Sequence, residues 1–203
     1  MSEDRASWIR HSFNLALLTG GFHLLQFAAS IALWSITNSA ALAAFGLDAI
    51  VSSAAAFLLA SRIHRSFEQL SESWRSRSVG YGYIAASATV LWLGGRQLWL
   101  GERPARSFMG IAIAALSMLV IPVIGSYLKT LAVELRNQPL KSAAIFTFGN
   151  SYLSLVLLIA LLLNAGGNFS SGDALGALVM FPFLAQKGIQ ILIEEGRREY
   201  AED

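Results

Sequence analysis

Six apolar stretches dominate this chain, and each is long enough to cross a lipid bilayer as an α-helix. A membrane-spanning helix needs about 20 mainly apolar residues to cross roughly 30 Å of hydrocarbon. Polar or turn-forming segments separate the stretches, so each stretch predicts its own span. We therefore expect an all-α, polytopic membrane protein, a six-transmembrane-helix bundle. The predicted spans are Phe13–Ile36, Ala40–Ala60, Val79–Leu100, Phe108–Leu128, Ala143–Leu163 and Ala174–Ile193.

The composition supports this class of protein and excludes several others. Only 14% of the residues are charged and 55% are hydrophobic, whereas a soluble domain carries about 25% charged residues. A net charge of +2 without a basic patch argues against nucleic-acid binding. The absence of cysteine excludes disulfides and thiolate metal sites. No catalytic triad or paired carboxylates are visible in the sequence, so we predict no enzymatic activity and expect the lipid bilayer to be the main partner.

The distribution of lysine and arginine predicts the orientation of the spans. Loops on the cytoplasmic side of a membrane protein carry an excess of both residues. Arg96 and Lys187 lie near predicted helix ends, where we expect their long side chains to reach the headgroups. The opposite side has only Arg103 and Arg106. The residues assigned to the cytoplasmic side are Arg5, Arg10, Arg62, Arg65, Arg75, Arg77, Lys129, Arg136, Lys141, Arg197 and Arg198.

This orientation gives the expected domain organisation. Residues 1–12 form a cytoplasmic N-terminal flank, residues 13–195 form the six-helix transmembrane domain, and residues 196–203 form a short cytoplasmic tail. With both termini cytoplasmic, we expect an integral protein of the inner (cytoplasmic) membrane of a bacterium.

Asp48 is the one acidic residue, of thirteen, that we place in the interior of a predicted span. An ionised aspartate at a helix centre costs about 2.5–3.5 kcal/mol on insertion scales, so it implies a partner or a role. Ser52 follows at i+4 on the same helix face, and Asn150 lies at a comparable depth in the fifth span. If these two spans face each other, the three residues form an all-oxygen cluster for a cation or a proton. The alternative is a protonated Asp48 that only hydrogen-bonds a neighbouring helix.

Three further polar residues are candidates for a supporting role at this cluster. His23 and Gln26 lie at i and i+3 on one face of the first span, which predicts either a proton-handling pair or a hydrogen bond that packs helices. Thr147 lies in the fifth span near Asn150. Its alternative is a hydroxyl that bonds its own helix backbone.

The segment Asn38–Ile50, which reads N-S-A-A-L-A-A-F-G-L-D-A-I and runs on to Arg62, resembles the second transmembrane helix of the cation diffusion facilitator family. The similarity extends over about residues 13–195. Further similar segments are Gly110–Pro122 followed by Lys129, for the fourth helix, and Tyr152–Ser154 with the leucine run to Asn164, for the fifth.

The resemblance implies a homodimeric antiporter that exports divalent cations such as zinc, cobalt, iron or manganese against protons. It also implies a tetrahedral transport site with two residues on the second helix and two on the fifth. The matching positions hold Asp48, Ser52, Phe146 and Asn150. Acids or histidine usually occupy these positions, so Asp48 is the one ionisable ligand that matches. The family's cytoplasmic metal-sensing domain has no expected counterpart in the short tail.

Two functional hypotheses follow. The first is a divalent-cation efflux transporter of cation diffusion facilitator type, a cation/proton antiporter with an atypical metal site at Asp48, Ser52 and Asn150. The divalent metal cation is then a substrate, and we expect no permanently bound cofactor. The alternative is a transport-inactive relative that acts as a structural or regulatory membrane protein.

Overall fold

Six long helices follow one another along the chain in the computed structural model, which describes residues 2–64, 73–166, 169 and 171–199. No strand occurs among these residues, so the prediction of an all-α protein is confirmed. Each helix contains one predicted span and extends beyond it. The helices are α1 (Ser2–Thr37), α2 (Ala40–His64), α3 (Ser73–Leu100), α4 (Phe108–Glu134), α5 (Gln138–Gly166) and α6 (Gly172–Glu199).

The helix boundaries follow local chemistry. Asn38 separates α1 from α2 with a left-handed φ of 55°, and Gly101 follows α3 with a φ of 62°, a conformation that suits asparagine and glycine. Ser107 caps α4, because its Oγ accepts a hydrogen bond from the Gly110 N–H at 3.0 Å. Asn137 does the same for α5 through the Leu140 N–H at 3.0 Å.

Five of these helices are long and apolar enough to cross a membrane: α1, α2, α4, α5 and α6. They indicate an integral membrane protein. Large apolar side chains such as Leu119 and Val133 are 72% and 67% exposed on the bundle, as expected of a surface in contact with lipid. Helix α3 is long but less apolar, since its sequence includes Arg75, Arg77 and Arg96. Six spans and cytoplasmic termini remain predictions.

Successive helices run in opposite directions, which gives the bundle two distinct sides. We call the side where α1 begins and α6 ends the terminal side, and the side where α1 ends and α2 begins the distal side. On the distal side the Ala105 N–H donates to the Thr37 carbonyl at 2.9 Å, and Asn164 Nδ2 donates to the Pro104 carbonyl at 3.3 Å. Arg65 and residues 200–203 lie outside the described residues.

Two apolar clusters fill the interior. The larger one, around Leu42, Phe45 and Leu157, lies towards the distal side, and the smaller one, around Leu128 and Leu140, lies towards the terminal side. Polar side chains occupy the region between the two clusters.

Helix α6 lies against α3 at a glycine contact. An ideal Cβ on Gly188 would lie 2.8 Å from the Gly80 carbonyl oxygen, a distance that real Cβ atoms do not reach. An added Cβ on Gly80 would in turn lie 2.9 Å from the Leu192 side chain. Glycine therefore lets the two backbones approach closely, and Lys187 is the residue that precedes this contact on α6.

Candidate functional site

A buried ion pair lies at the centre of the bundle. Lys187 Nζ on α6 is 2.7 Å from Asp48 Oδ1 on α2, and the two side chains are 7% and 3% exposed. The prediction that Lys187 reaches the headgroups is therefore wrong. The contact of Gly188 with α3 holds this part of α6 inside the bundle, and a buried ammonium is retained where a carboxylate compensates its charge. Arg96, by contrast, is exposed and pairs with Glu102 at 3.0 Å.

Two further groups complete the surroundings of the ammonium. Lys187 Nζ donates to Asn150 Oδ1 on α5, and it lies 5.3 Å from the centroid of the Tyr83 ring on α3. An aromatic face attracts a cation at this distance. The ammonium thus contacts a carboxylate, an amide oxygen and an aromatic ring, each carried by a different helix.

The hydrogen bonds around Asn150 have a defined direction. Its Oδ1 accepts from Lys187, so its Nδ2 is left to donate, to Ser52 Oγ at 3.0 Å and towards His23 Nε2 at 3.3 Å. His23 Nε2 then acts as an acceptor, and its proton resides on Nδ1. His23 Nδ1 in turn donates to Gln26 Oε1 at 2.8 Å.

Two more hydrogen bonds extend this cluster. Gln26 Nε2 donates to Ser117 Oγ on α4 at 2.8 Å, and Ser52 Oγ is 2.8 Å from the Tyr83 hydroxyl. Side chains from all six helices therefore meet in one polar cluster, which we call the central cluster. Its members are His23, Gln26, Asp48, Ser52, Tyr83, Ser117, Asn150 and Lys187.

The structure brings together most of the residues that the sequence predicts. Asp48, Ser52 and Asn150 belong to the central cluster, and Lys187 lies between the Asp48 and Asn150 oxygens. His23 and Gln26 form the expected pair and join the cluster through Asn150. In the described part of the chain, no group of three or more histidine, cysteine, aspartate or glutamate side chains could hold a metal ion. The metal site stays a prediction.

Thr147 and Phe146 take no part in the hydrogen bonds of the cluster. Thr147 Oγ1 donates to the Ala143 carbonyl of its own helix at 2.8 Å, which is the alternative that the sequence left open. Both residues line the cavity described below.

Sequence reasoning missed Lys187, Tyr83 and Ser117 as members of the site. A signal for Lys187 was present, since it lies inside the predicted span Ala174–Ile193, and a cation in one span together with an anion in another predicts a pair. The tyrosine and the serine gave no comparable signal, because neither side chain is costly to place in a helix bundle.

A cavity of about 140 Å³ reaches the central cluster from the terminal side. Its inner end is formed by His23, Ser52, Tyr83 and Asn150, and Glu194 lies at its outer end. Such a volume accommodates several water molecules. Asp48 and Lys187 lie directly behind these polar side chains, so the ion pair is one residue away from the cavity. The apolar walls include Ala16, Ala56, Leu59, Leu128 and Phe146.

The distal side holds a second buried carboxylate, Asp173 at the start of α6. Its Oδ1 accepts from Ser39 Oγ at 2.5 Å, and its Oδ2 accepts from the Ala41 N–H at 3.3 Å. Gln97 Oε1 of α3 accepts from the Ala40 N–H at 3.1 Å. These contacts tie the beginnings of α2 and α6 to the end of α3. We call Ser39, Gln97 and Asp173 the distal clamp.

No known protein-family model matches the chain, and no curated protein matches it at a significant level. The resemblance to the cation diffusion facilitators rests on the motifs quoted above.

Proposed function

We propose that this chain is a cation/proton antiporter of the membrane, with six spans, cytoplasmic termini and a transport site centred on Asp48. The observation that carries the proposal is the buried Asp48–Lys187 pair immediately behind a cavity that opens to one side. Ionisable residues inside a helical membrane bundle mark ion pathways and proton relays. An ion pair placed beside a cavity that accommodates several water molecules is suited to such a pathway.

The contacts of Lys187 suggest how a cation is held. The ammonium rests between a carboxylate oxygen of Asp48 and the amide oxygen of Asn150, and Ser52 Oγ is bonded to the same amide. Carboxylate, amide and hydroxyl oxygens are ligands for hard cations. A transported cation takes the place of the ammonium beside Asp48, and Lys187 has to move away first.

Proton coupling follows from charge balance in a region of low dielectric. An added positive charge near the centre of the bundle is costly unless another charge leaves. The exchange of protons for cations keeps that balance. The resemblance to the cation diffusion facilitator family implies a divalent substrate and a homodimer, and we include both in this proposal.

A second candidate function is a transport-inactive membrane protein with a structural or regulatory role. The observation that favours it is Lys187 itself, because its ammonium already satisfies Asp48 and Asn150. Under this hypothesis the pair only holds α2, α5 and α6 together.

Flux measurements on proteoliposomes separate the two functions. The purified protein is reconstituted with a pH-sensitive dye inside, and zinc, cobalt, iron or manganese is added outside. Transport predicts cation-dependent proton movement that Asp48→Ala abolishes and Ser52→Ala slows. Ser53→Ala is the matched control, since Ser53 Oγ bonds the Gly20 carbonyl at 2.8 Å, away from the cluster.

The inactive alternative predicts that calorimetry detects no saturable binding of these cations. Cation-independent flux, or flux that Asp48→Ala leaves unchanged in a folded protein, contradicts the antiporter. Micromolar binding that competes with protons contradicts the inactive alternative.

A further inference from the structure

The α4–α5 turn on the terminal side borders a groove with a basic rim and an apolar floor. The groove has a volume of about 410 Å³, which is within the range of sites for small molecules. Lys129 lies at one end of it, Arg136 at the turn and Lys141 in the first turn of α5. Val133, Ile145 and Phe148 are the larger apolar side chains of the floor, and we call the whole surface the basic groove.

The three cations of the basic groove are available to a ligand. All three side chains are exposed, and within the described residues no carboxylate lies at ion-pair distance from any of them. Three positive charges around one groove favour an anion. The central cluster and its cavity involve other residues, so this surface is independent of the proposed transport function.

The floor of the groove indicates that the anion carries an apolar part. Val133, Ile145 and Phe148 are 67%, 60% and 40% exposed, and they continue the apolar surface of the bundle. A free phosphate ion gains nothing from such a floor. An acyl chain that lies across it buries apolar area, while a phosphate stays at the rim.

The backbone at Arg136 adds an independent observation. Arg136 has a φ of 48°, which is the left-handed conformation that glycine adopts at helix ends and that costs other residues about 1–2 kcal/mol. The turn itself needs no arginine, since its backbone closes through the Asn137 N–H to the Ala132 carbonyl at 3.1 Å. Strain of this kind is retained where the side chain has a use.

We propose that the basic groove binds the headgroup of an anionic phospholipid, with the phosphate between Lys129, Arg136 and Lys141 and an acyl chain on Val133, Ile145 and Phe148. Basic pockets between helices at a membrane surface hold anionic headgroups in this manner. An anionic phospholipid is a component of the membrane itself, so the ligand is always present next to the basic groove.

The experiment measures lipid binding to the detergent-purified chain by thermal unfolding and native mass spectrometry. The probes are dioleoylphosphatidylglycerol, dioleoylphosphatidylcholine and inorganic phosphate. We expect the anionic lipid alone to bind and to raise the melting temperature, and salt to weaken the effect. Each cation replaced by glutamine lowers the affinity about fivefold, and all three together lower it about a hundredfold. The matched control replaces Arg103 and Arg106, which lie in the α3–α4 connection on the distal side, and it leaves the affinity unchanged.

Arg136→Gly separates a role in lipid binding from a role in folding. Glycine relieves the backbone strain, so the variant without lipid is at least as stable as the original protein, yet it binds the anionic lipid about fivefold more weakly. Equal binding of both lipids overturns the proposal, as does tight binding of inorganic phosphate alone. Full affinity in the triple variant, or an equal loss in the Arg103 and Arg106 control, also overturns it.

Discussion

The distal and terminal sides of this bundle are built from the same six helices but in opposite ways. On the distal side the distal clamp ties three helix ends together, and the apolar cluster around Leu42 and Leu157 is closely packed beneath it. On the terminal side a cavity leads inward to the central cluster. The cavity therefore approaches the central ion pair from the terminal side, while the distal clamp covers the distal side. Under the proposed function, this arrangement corresponds to a state whose cavity is open to the terminal side.

Breaking the ion pair between the two sides gives the largest expected effect. Asp48→Asn or Lys187→Met leaves a buried charge without its partner and destabilises the protein by about 3–5 kcal/mol. The double variant removes both charges and recovers most of the loss. Thermal unfolding in detergent measures all three.

The control for this experiment is Arg96→Gln. It breaks the exposed pair with Glu102, in which the arginine side chain is 52% exposed, and we expect a loss of about 0–1 kcal/mol. If the single variants of the buried pair lose no more than this control, the central pair does not stabilise the bundle.

A smaller effect is expected where α3 and α6 cross. Gly188→Ala places a Cβ against the Gly80 carbonyl oxygen, so the helices have to separate, at a cost of about 1–3 kcal/mol. Gly95→Ala is the matched control on α3, because nothing lies within 4 Å of its added Cβ. It should be neutral or slightly stabilising. The prediction fails if the two alanine variants have the same melting temperature.

Opening the distal side is the mildest change. Asp173→Asn weakens the bonds to Ser39 and the Ala41 N–H, and we expect a loss of about 0.5–2 kcal/mol in the free energy of unfolding, as for other helix caps.

The chain has no cysteine, so a single introduced cysteine reports local access to water. Ala143→Cys in the cavity should react with a water-soluble thiol reagent, whereas Ala114→Cys in the distal core should not.

A double variant that combines Asp173→Asn with Ala114→Cys tests whether the distal clamp keeps water away from the distal core. If the clamp closes the distal side, the reaction of this cysteine becomes faster in the double variant, while that of Ala143→Cys stays the same. Rapid labelling of Ala114→Cys without the clamp substitution contradicts the contrast between the two sides.

Hydrophobicity and turn residues were sufficient to predict the six helices, because each helix contains a long apolar stretch and polar or turn-forming residues separate these stretches. The same patterns also predicted that Asp48, Ser52 and Asn150 lie close together, since a polar side chain in an apolar stretch is easy to recognise. Lys187 was misplaced, because its long side chain can turn either to the headgroups or into the bundle, and the close packing of α6 against α3 at the Gly80–Gly188 contact cannot be read from the sequence. Asp173 was overlooked for a similar reason. Its partners, Ser39 and the Ala41 N–H, lie at the start of α2, more than a hundred residues away in the sequence.

Asn150 accepts a hydrogen bond from Lys187 through its oxygen and donates one towards His23 through its nitrogen. The tautomer of His23 therefore depends on whether the Lys187 ammonium is bonded to Asn150. While the ammonium bonds Asn150 Oδ1, the amide group offers N–H to the imidazole, and the ring proton is confined to Nδ1. Once the ammonium departs, the amide is free to turn over and present its oxygen, which requires the proton on Nε2 instead. The NMR chemical shifts of the two ring nitrogens distinguish these tautomers. The imidazole on α1 therefore displays, as a spectral signature, whether the charge on α6 is in place.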